Sequence, residues 1–214
     1  MEAQTRRKGV PVEFAQRPMR ALRPVDAATV YAHPRAQIAR LERNGLLHRL
    51  ATGYFVVVPQ DRIGMPWRPD LETAAAAIAV TAVGSDAAVL MGVSAARMHG
   101  AIPRALAVAV VAVPEWRHPV QLRDRDDATV QFVQRDTGQL DAERMTTDLG
   151  GCLVTTIEQT VLDLAHRPTL GHAEPEALAA IKTLMPRCDP QRLARLADEQ
   201  RLGAALARAT TAAD

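Results

Sequence analysis

The stretch HPRAQIARLERNGLLHRLATGYFVVV, residues 33–58, passes from an arginine-bearing segment into one that ends in three valines. Pro34 suits the first position of a helix, and Asn44-Gly45 can adopt the left-handed backbone that ends one. The residues on either side of Thr52-Gly53 are mostly apolar and β-branched, which predicts a β-hairpin. The stretch therefore predicts a basic helix followed at once by a tight hairpin.

Two shorter helices are predicted before this stretch. Apolar positions from Phe14 to Leu22 form a helical face, although Pro18 interrupts it. Asp26 is the expected N-cap of the second helix. Three short helices and a hairpin are the outline of a winged helix-turn-helix, which we predict for residues 13–58, after a disordered N-terminus of residues 1–12.

The charge of the chain is uneven. Residues 1–50 hold ten Arg or Lys and four Asp or Glu, a net charge of +6, whereas residues 51–214 hold sixteen and twenty, a net charge of −4. A basic head on a mildly acidic remainder indicates that the head binds a polyanion and that the remainder has another task.

The helix predicted from Pro34 to about Arg43 has two different sides. Ile38 and Leu41 face the first two helices, and the opposite side presents two alanines and two arginines. Small alanines allow close approach to the DNA major groove, where Arg reads guanine bidentately. The predicted DNA-binding residues are Arg20, Arg23, Arg35, Gln37, Arg40, Arg43, His48 and Arg49.

Position divides these residues into two roles. Arg35 and Gln37 lie near the N-terminal end of the helix, which commonly meets the bases, so we expect base contacts there. Arg40 and Arg43 suit either bases or phosphates, and the remaining four are expected to contact the DNA backbone. The alternative is a merely solvated face, on which Arg40 pairs with Glu42 or Glu13.

Residues 59–69, PQDRIGMPWRP, contain three prolines and predict a linker. Beyond it we predict a helix from Leu71 to about Val83, strands at 106–113 and 128–134, a helix at 155–166 capped by Thr155 or Thr156, and a helical tail from Glu174 broken at 186–190. The fold class is α+β: the winged helix precedes a larger mixed α/β domain of residues 70–206 and a frayed tail of residues 207–214.

Little in the sequence points to catalysis, a cofactor or a membrane. Cys152 and Cys188 are 36 residues apart without a His at ligand spacing, which favours two separate buried thiols in a reducing cytosol. The longest apolar runs are about half of what a bilayer needs. We therefore expect a cytoplasmic protein with no catalytic residue, metal or cofactor.

Three residues nevertheless resemble parts of an active site. His99, beside Gly100, is expected to cap the end of a short helix, and Asp163 is expected to hold a neighbouring loop by hydrogen bonds. Glu158 is expected to share a capping arrangement with Thr155. All three are interpreted as structural.

The order of the motifs resembles one family. A winged helix ending in NGLLHRLATGYFVV precedes GVSAARMHGAIPRA, an apolar strand that ends at Pro114, and LVTTIEQTVLDLAHRP. Over about residues 20–200 the chain resembles the AbiEi family, the antitoxin half of abortive-infection AbiE-type toxin–antitoxin pairs. The resemblance implies a DNA-reading helix at 34–43, a wing at 46–58 and an antitoxin domain at about 70–200.

The resemblance also implies partners and a role. Proteins of this kind repress their own operon through the winged helix, usually at inverted repeats, and neutralise a nucleotidyltransferase-type toxin, with or without direct contact. The implied partners are double-stranded operator DNA and that toxin, and no membrane is involved. One alternative is a stand-alone winged-helix regulator whose second domain senses a ligand. A nuclease is the third hypothesis, although the strand at 106–113 lacks the acidic residues that such chemistry needs.

Overall fold

The computed structural model describes residues 9–213, in which a small N-terminal module, residues 9–58, precedes a larger body, residues 71–213. The module contains α1 (Val12–Ala15), β1 (Ala21–Leu22), α2 (Pro34–Arg43), β2 (Leu47–Ala51) and β3 (Tyr54–Val57), with short 3₁₀ turns at Pro18–Arg20 and Asp26–Thr29. Its three strands form an antiparallel sheet in the order β1-β3-β2.

Helix α2 begins and ends as predicted. Pro34 is its first residue, and Gly45, at φ +68°, follows its last turn. The Leu46 N–H donates to the Leu41 carbonyl and the Gly45 N–H to the Glu42 carbonyl, at 3.0 and 2.9 Å. These two bonds satisfy carbonyls that the end of the helix leaves free, and they turn the chain directly into β2.

The first part of the module differs from the prediction. The expected helix from Phe14 to Leu22 is only four residues long, because Pro18 ends it and the chain then enters β1. The expected second helix is a single 3₁₀ turn, and Asp26 accepts a bond from the Arg23 backbone N–H at 2.7 Å instead of capping a helix.

The body combines one mixed sheet with six helices within the described residues. Its elements are α3 (Leu71–Val83), β4 (Val89–Leu90), α4 (Gly92–Met98), β5 (Val108–Val113), β6 (Val120–Gln121), β7 (Thr129–Gln134), β8 (Ala142–Thr147), β9 (Gly150–Thr155), α5 (Ile157–His166), α6 (Glu174–Leu184), α7 (Pro190–Glu199) and α8 (Gly203–Ala213). The strand order is β6-β7-β5-β4-β9-β8, with β7 parallel to β5 and β9 parallel to β4. The fold is therefore mixed α and β.

Strand β5 lies inside the sheet, as its continuous apolar sequence predicted, and α5 packs against α4, α6, α7 and α8. The β8–β9 hairpin was not predicted. Its sequence, AERMTT followed by GGCLVT, offers no regular apolar alternation, and the outer strand β8 is largely exposed. The helical tail is broken twice, at 185–189 and at 200–202.

Both ends of the chain depart from the predicted boundaries. Residues 1–8 and 214 lie outside the described residues, but Val12 already begins α1, so disorder does not extend to residue 12. The tail does not fray at 207, because α8 continues to Ala213 and buries Ala209.

The module and the body share one hydrophobic core. One face of the small sheet packs with Phe14, Ile38 and Leu41 in a separate cluster. The other face continues into the large core around α3, to which the module contributes Met19, Ala21, Leu50, Ala51 and Val56. The proline-rich segment 59–69 therefore connects two parts that are packed together.

Candidate nucleic-acid interface

Helix α2 presents the basic face that its sequence predicted. Ile38 and Leu41 are buried in the module, whereas Ala36, Ala39 and Arg40 are exposed on the other side. Arg35 and Arg43 are exposed as well. The surface therefore combines small side chains near the helix backbone with long cationic side chains, an arrangement that suits a DNA groove.

The arginines of α2 differ in what holds them. Arg43 donates from Nε to the Ala39 carbonyl at 3.3 Å, within its own helix. Among residues 9–213, no Asp or Glu oxygen lies within 4.0 Å of the Arg35 or Arg40 guanidinium nitrogens. Gln37 is half-buried, and its side-chain oxygen accepts no hydrogen bond from the described residues. Arg35 and Arg40 therefore have their charges available for a ligand.

The β2–β3 hairpin divides its basic residues between its two faces. Arg49 and Phe55 are cross-strand partners on the α2 side, and the Arg49 guanidinium lies 5.1 Å from the Phe55 ring centroid. Arg49 Nη2 also donates to Glu42 Oε2 at 2.8 Å. Glu42, which the alternative of a solvated face paired with Arg40, thus joins Arg49 to the end of α2.

His48 faces the body instead of the basic surface. Its Nε2 lies 2.9 Å from Asp124 Oδ2, and its ring meets Trp67 edge-on at 5.8 Å. Burial raises the pKa of Asp124, but hydrogen bonds from Arg125 and His48 outweigh it and bring that pKa to about 2. The placement follows from strand alternation, because Leu47 and Arg49 point to the α2 side and His48 to the other.

Arg20 and Arg23 lie apart from α2 in their contacts. Arg23 Nε is 3.8 Å from the Asp26 carboxylate, to which Arg17 also comes within 3.3 Å. Arg20, at φ +49°, lines a mostly apolar cavity of about 780 Å³ with Val57 and Asp148. The structure thus brings Arg35, Arg40, Arg43 and Arg49 onto one side of the module, with Arg20 and His48 turned elsewhere.

The residues that resembled catalytic groups make internal contacts. His99 is the C-cap residue of α4 as expected, but its backbone N–H makes the capping bond, to the Ala95 carbonyl at 2.9 Å. Its Nε2 donates to the Thr155 carbonyl at 2.7 Å, which joins α4 to the end of β9. Thr156, not Thr155, caps α5, and Glu158 accepts from the Asp189 backbone N–H at 2.9 Å, at the start of α7.

Asp163 is buried beneath Arg135. Its Oδ1 lies 3.4 Å from Arg135 Nη1 and accepts a bond from Gln159 at 3.2 Å, whereas Oδ2 has no partner among the described residues. Burial raises the pKa of Asp163 to about 6 in spite of these contacts.

The remaining chemistry of the described residues is sparse. Cys152 is buried and Cys188 half-buried; both are free thiols, and burial raises the pKa of each to about 11. Within residues 9–213, no three His, Cys, Asp or Glu side chains gather as metal ligands. In the same part of the chain, no helix has the length and apolarity needed to cross a bilayer.

The comparisons with known proteins concern the body first. The family model described as the AbiEi antitoxin C-terminal domain matches residues 87–211. The chain belongs to the AbiEi antitoxin family. The matched residues run from β4 to α8, so the module with α2 lies outside the AbiEi match.

A solved structure extends the likeness to the module. The AbiEi-family chain is similar to the crystal structure of the RV2827C protein from Mycobacterium tuberculosis, with 19% identity, a TM-score of 0.59, and coverage of 95% of this chain and 74% of that chain. This likeness shows a common fold that includes the N-terminal module. No curated protein matches the AbiEi-family chain.

Proposed function

We propose that this chain is an antitoxin that neutralises a nucleotidyltransferase-type toxin and represses its own operon by binding promoter DNA. The family match, which covers residues 87–211, supports the antitoxin role. The nucleotidyltransferase class of the toxin is inferred from the resemblance of the order of motifs to that of the AbiEi family. In this proposal the chain acts in the cytoplasm and has no catalytic activity of its own.

The exposed face of α2 supports DNA binding. Arg35 and Arg40 have no acidic partner among the described residues, and Ala36 and Ala39 lie between them on the same side. A solvated arginine face would form local ion pairs, but the nearest acid, Glu42, pairs with Arg49 instead. Unpaired guanidinium groups beside small residues fit phosphates and base edges in the major groove.

The order of elements in the module supports a winged helix. The order is α1, β1, the 3₁₀ turn at Asp26–Thr29, α2 and the β2–β3 hairpin. Strand β1 pairs with the hairpin in one antiparallel sheet. In this arrangement α2 is the reading helix and the β2–β3 hairpin is the wing. We propose base contacts for Arg35 and Gln37, and phosphate contacts for Arg40, Arg43 and Arg49.

The other predicted positions have smaller roles in this proposal. In this proposal Arg23 and Arg20 contact only the DNA backbone. Arg23 is held by the Asp26 carboxylate, and Arg20 lines the cavity beside Val57. His48 is omitted from the interface because it pairs with Asp124. The ligand-sensing alternative gains no specific support from the cavity of about 780 Å³, which lies beside Val57 and Ile63 and outside the body's core.

A gel-shift titration with the operon's promoter DNA tests the proposed interface. We expect Arg40→Ala to weaken binding about tenfold and to reduce the slope of log K against log salt by about 0.9 if one phosphate contact is lost. For about five phosphate contacts, the wild-type slope should lie near −4 to −5. Arg195→Ala, an exposed arginine on α7, is the matched control and should leave both values unchanged. Equal effects of the two substitutions would contradict the proposed interface.

Base reading and toxin neutralisation need separate measurements. Arg35→Ala should reduce the preference for operator over unrelated DNA by about 1–3 kcal/mol.

Co-expression of the full chain with the toxin-like product of the neighbouring gene should restore growth. The full chain is needed because a cut near residue 70 would expose the core that α3 shares with the module. Absence of rescue would contradict the antitoxin proposal.

A further inference from the structure

Four basic side chains gather around the C-terminal end of α5: Arg135, His166, Arg167 and Arg208, here called the α5 basic cluster. Arg208 Nε donates to the Ala165 carbonyl at 2.9 Å, and Arg135 lies over the buried Asp163 carboxylate. The other two are the last residue of α5 and its C-cap. His166, Arg167 and Arg208 are exposed, so the cluster lies on the surface of the body.

The cluster carries more positive charge than its contacts balance. Asp163 is the only carboxylate within 4.0 Å of these arginines among the described residues, and a single carboxylate balances at most one of their positive charges. Burial, and then the positive charges of Arg135, Arg208 and Arg167, lower the pKa of His166. The bond to the Ala165 carbonyl accounts for the position of Arg208, whereas the Arg167 side chain has no hydrogen-bond or ion-pair partner among residues 9–213.

The surroundings favour a protein partner over a nucleic acid. Residues 51–214 carry a net charge of −4, and exposed Asp136 adjoins Arg135 in the sequence. Exposed Asp198 and Glu199 precede Gln200, whose Oε1 lies 3.5 Å from Arg135 Nη2. A nucleic acid would extend beyond the arginines, and its phosphates would then be repelled by these acids. A small patch of two or three carboxylates on a protein surface can contact the arginines alone. Guanidinium groups bind carboxylates with two parallel hydrogen bonds.

The position of the cluster agrees with this choice of partner. All four residues lie within 87–211, the part of the chain that matches the antitoxin domain, and none lies on the module that carries α2. We propose that the α5 basic cluster docks an acidic patch of the toxin, with Arg167 and Arg208 as the contacting residues. The inference rests on the proposed antitoxin function and adds direct contact to it.

Charge reversal in the full chain tests the docking surface. Arg167→Glu should weaken co-purification of the co-expressed toxin roughly tenfold, and Arg167→Glu with Arg208→Glu should abolish both co-purification and growth rescue. Lys182→Glu, an exposed residue of α6 without an acidic partner within 4.0 Å among the described residues, is the control for the added negative charge. Promoter binding should be unchanged in all three variants, which also verifies their folding.

A reciprocal change on the toxin sharpens the test. Replacing an acidic residue of its docking patch by Arg should restore binding to Arg167→Glu and weaken binding to the wild-type chain. The inference is overturned if both charge-reversed variants retain the toxin, if the wild-type chain rescues growth without any complex, or if Arg167→Glu weakens promoter binding as strongly as Arg40→Ala. Failure of the wild-type chain to rescue growth would instead overturn the antitoxin function itself.

Discussion

Asp124 and Asp163 are two buried aspartates that contact arginines. Asp124 lies at the junction of module and body, and Asp163 lies in α5. Asp124 receives hydrogen bonds from both Arg125 and His48, and its pKa falls to about 2 in spite of burial. Asp163 has one arginine at 3.4 Å and an unpartnered oxygen, and burial raises its pKa to about 6. Burial raises the pKa of both carboxyls, and it is outweighed only at Asp124, where Arg125 and His48 both donate hydrogen bonds.

The largest expected effect concerns the junction. Leu50 is fully buried in the core that module and body share, so Leu50→Ala should lower the free energy of unfolding by about 3 kcal/mol. Urea unfolding followed by tryptophan fluorescence and by circular dichroism should give one shared transition, shifted to lower urea. Leu178→Ala, at a residue 44% exposed on α6, is the matched control and should cost less than 1 kcal/mol. Two separate transitions would contradict a shared core.

The second prediction sharpens the contrast at Asp163. Because its pKa is raised, the folded chain binds the proton more tightly than the unfolded chain, and this contribution to stability is lost as pH rises from 3.8 through about 6. Asp163→Asn resembles the protonated form at every pH. It should therefore match the wild type near pH 4 and exceed it by on the order of 2 kcal/mol at pH 7.5, in thermal or urea unfolding. A less stable Asn variant at pH 7.5 would mean that the carboxylate is charged and stabilising.

The smallest effect is expected at Asp124, and with the opposite sign. Its lowered pKa contributes stability above pH 3.8 that is lost as pH falls through about 2. Asp124→Asn should lower the free energy of unfolding by about 1 kcal/mol at pH 7, and the difference should shrink in acid. Asp86→Asn removes an exposed ion pair with Arg144 and should have almost no effect at either pH. A pH-independent loss at Asp124 would point to packing instead of charge.

Local patterns predicted the elements that decide the fold. The bounds of α2 follow from Pro34 and Asn44-Gly45, and the turn of the β2–β3 hairpin follows from Thr52-Gly53. The predicted bounds of α3 and the interior position of β5 were also correct. A long Ala-rich run favours a buried helix, and a short β-branched run favours a strand that is buried on both faces. The β8–β9 hairpin was missed because AERMTT and GGCLVT show no regular alternation of apolar and polar residues.

The candidate sites depended more on distant contacts. The exposed arginines of α2 follow from helical periodicity alone, but the partner of His48 is 76 residues away in sequence. Strand alternation was enough to place His48 opposite Arg49, although it did not identify Asp124. The residues of the α5 basic cluster come from α5, from α8 and from the residue after β7. No local sequence pattern predicts that Arg135 and Arg208 contact the same end of α5.

The continuity of apolar packing from Met19, Leu50 and Val56 into α3 has a consequence for chimeric regulators. The N-terminal module, used as the head of another protein, brings with it a bare hydrophobic face that only a complementary first helix of the recipient can cover. Recombination near residue 59 between distant relatives should therefore yield insoluble hybrids, unless the α3 surface is exchanged together with the head.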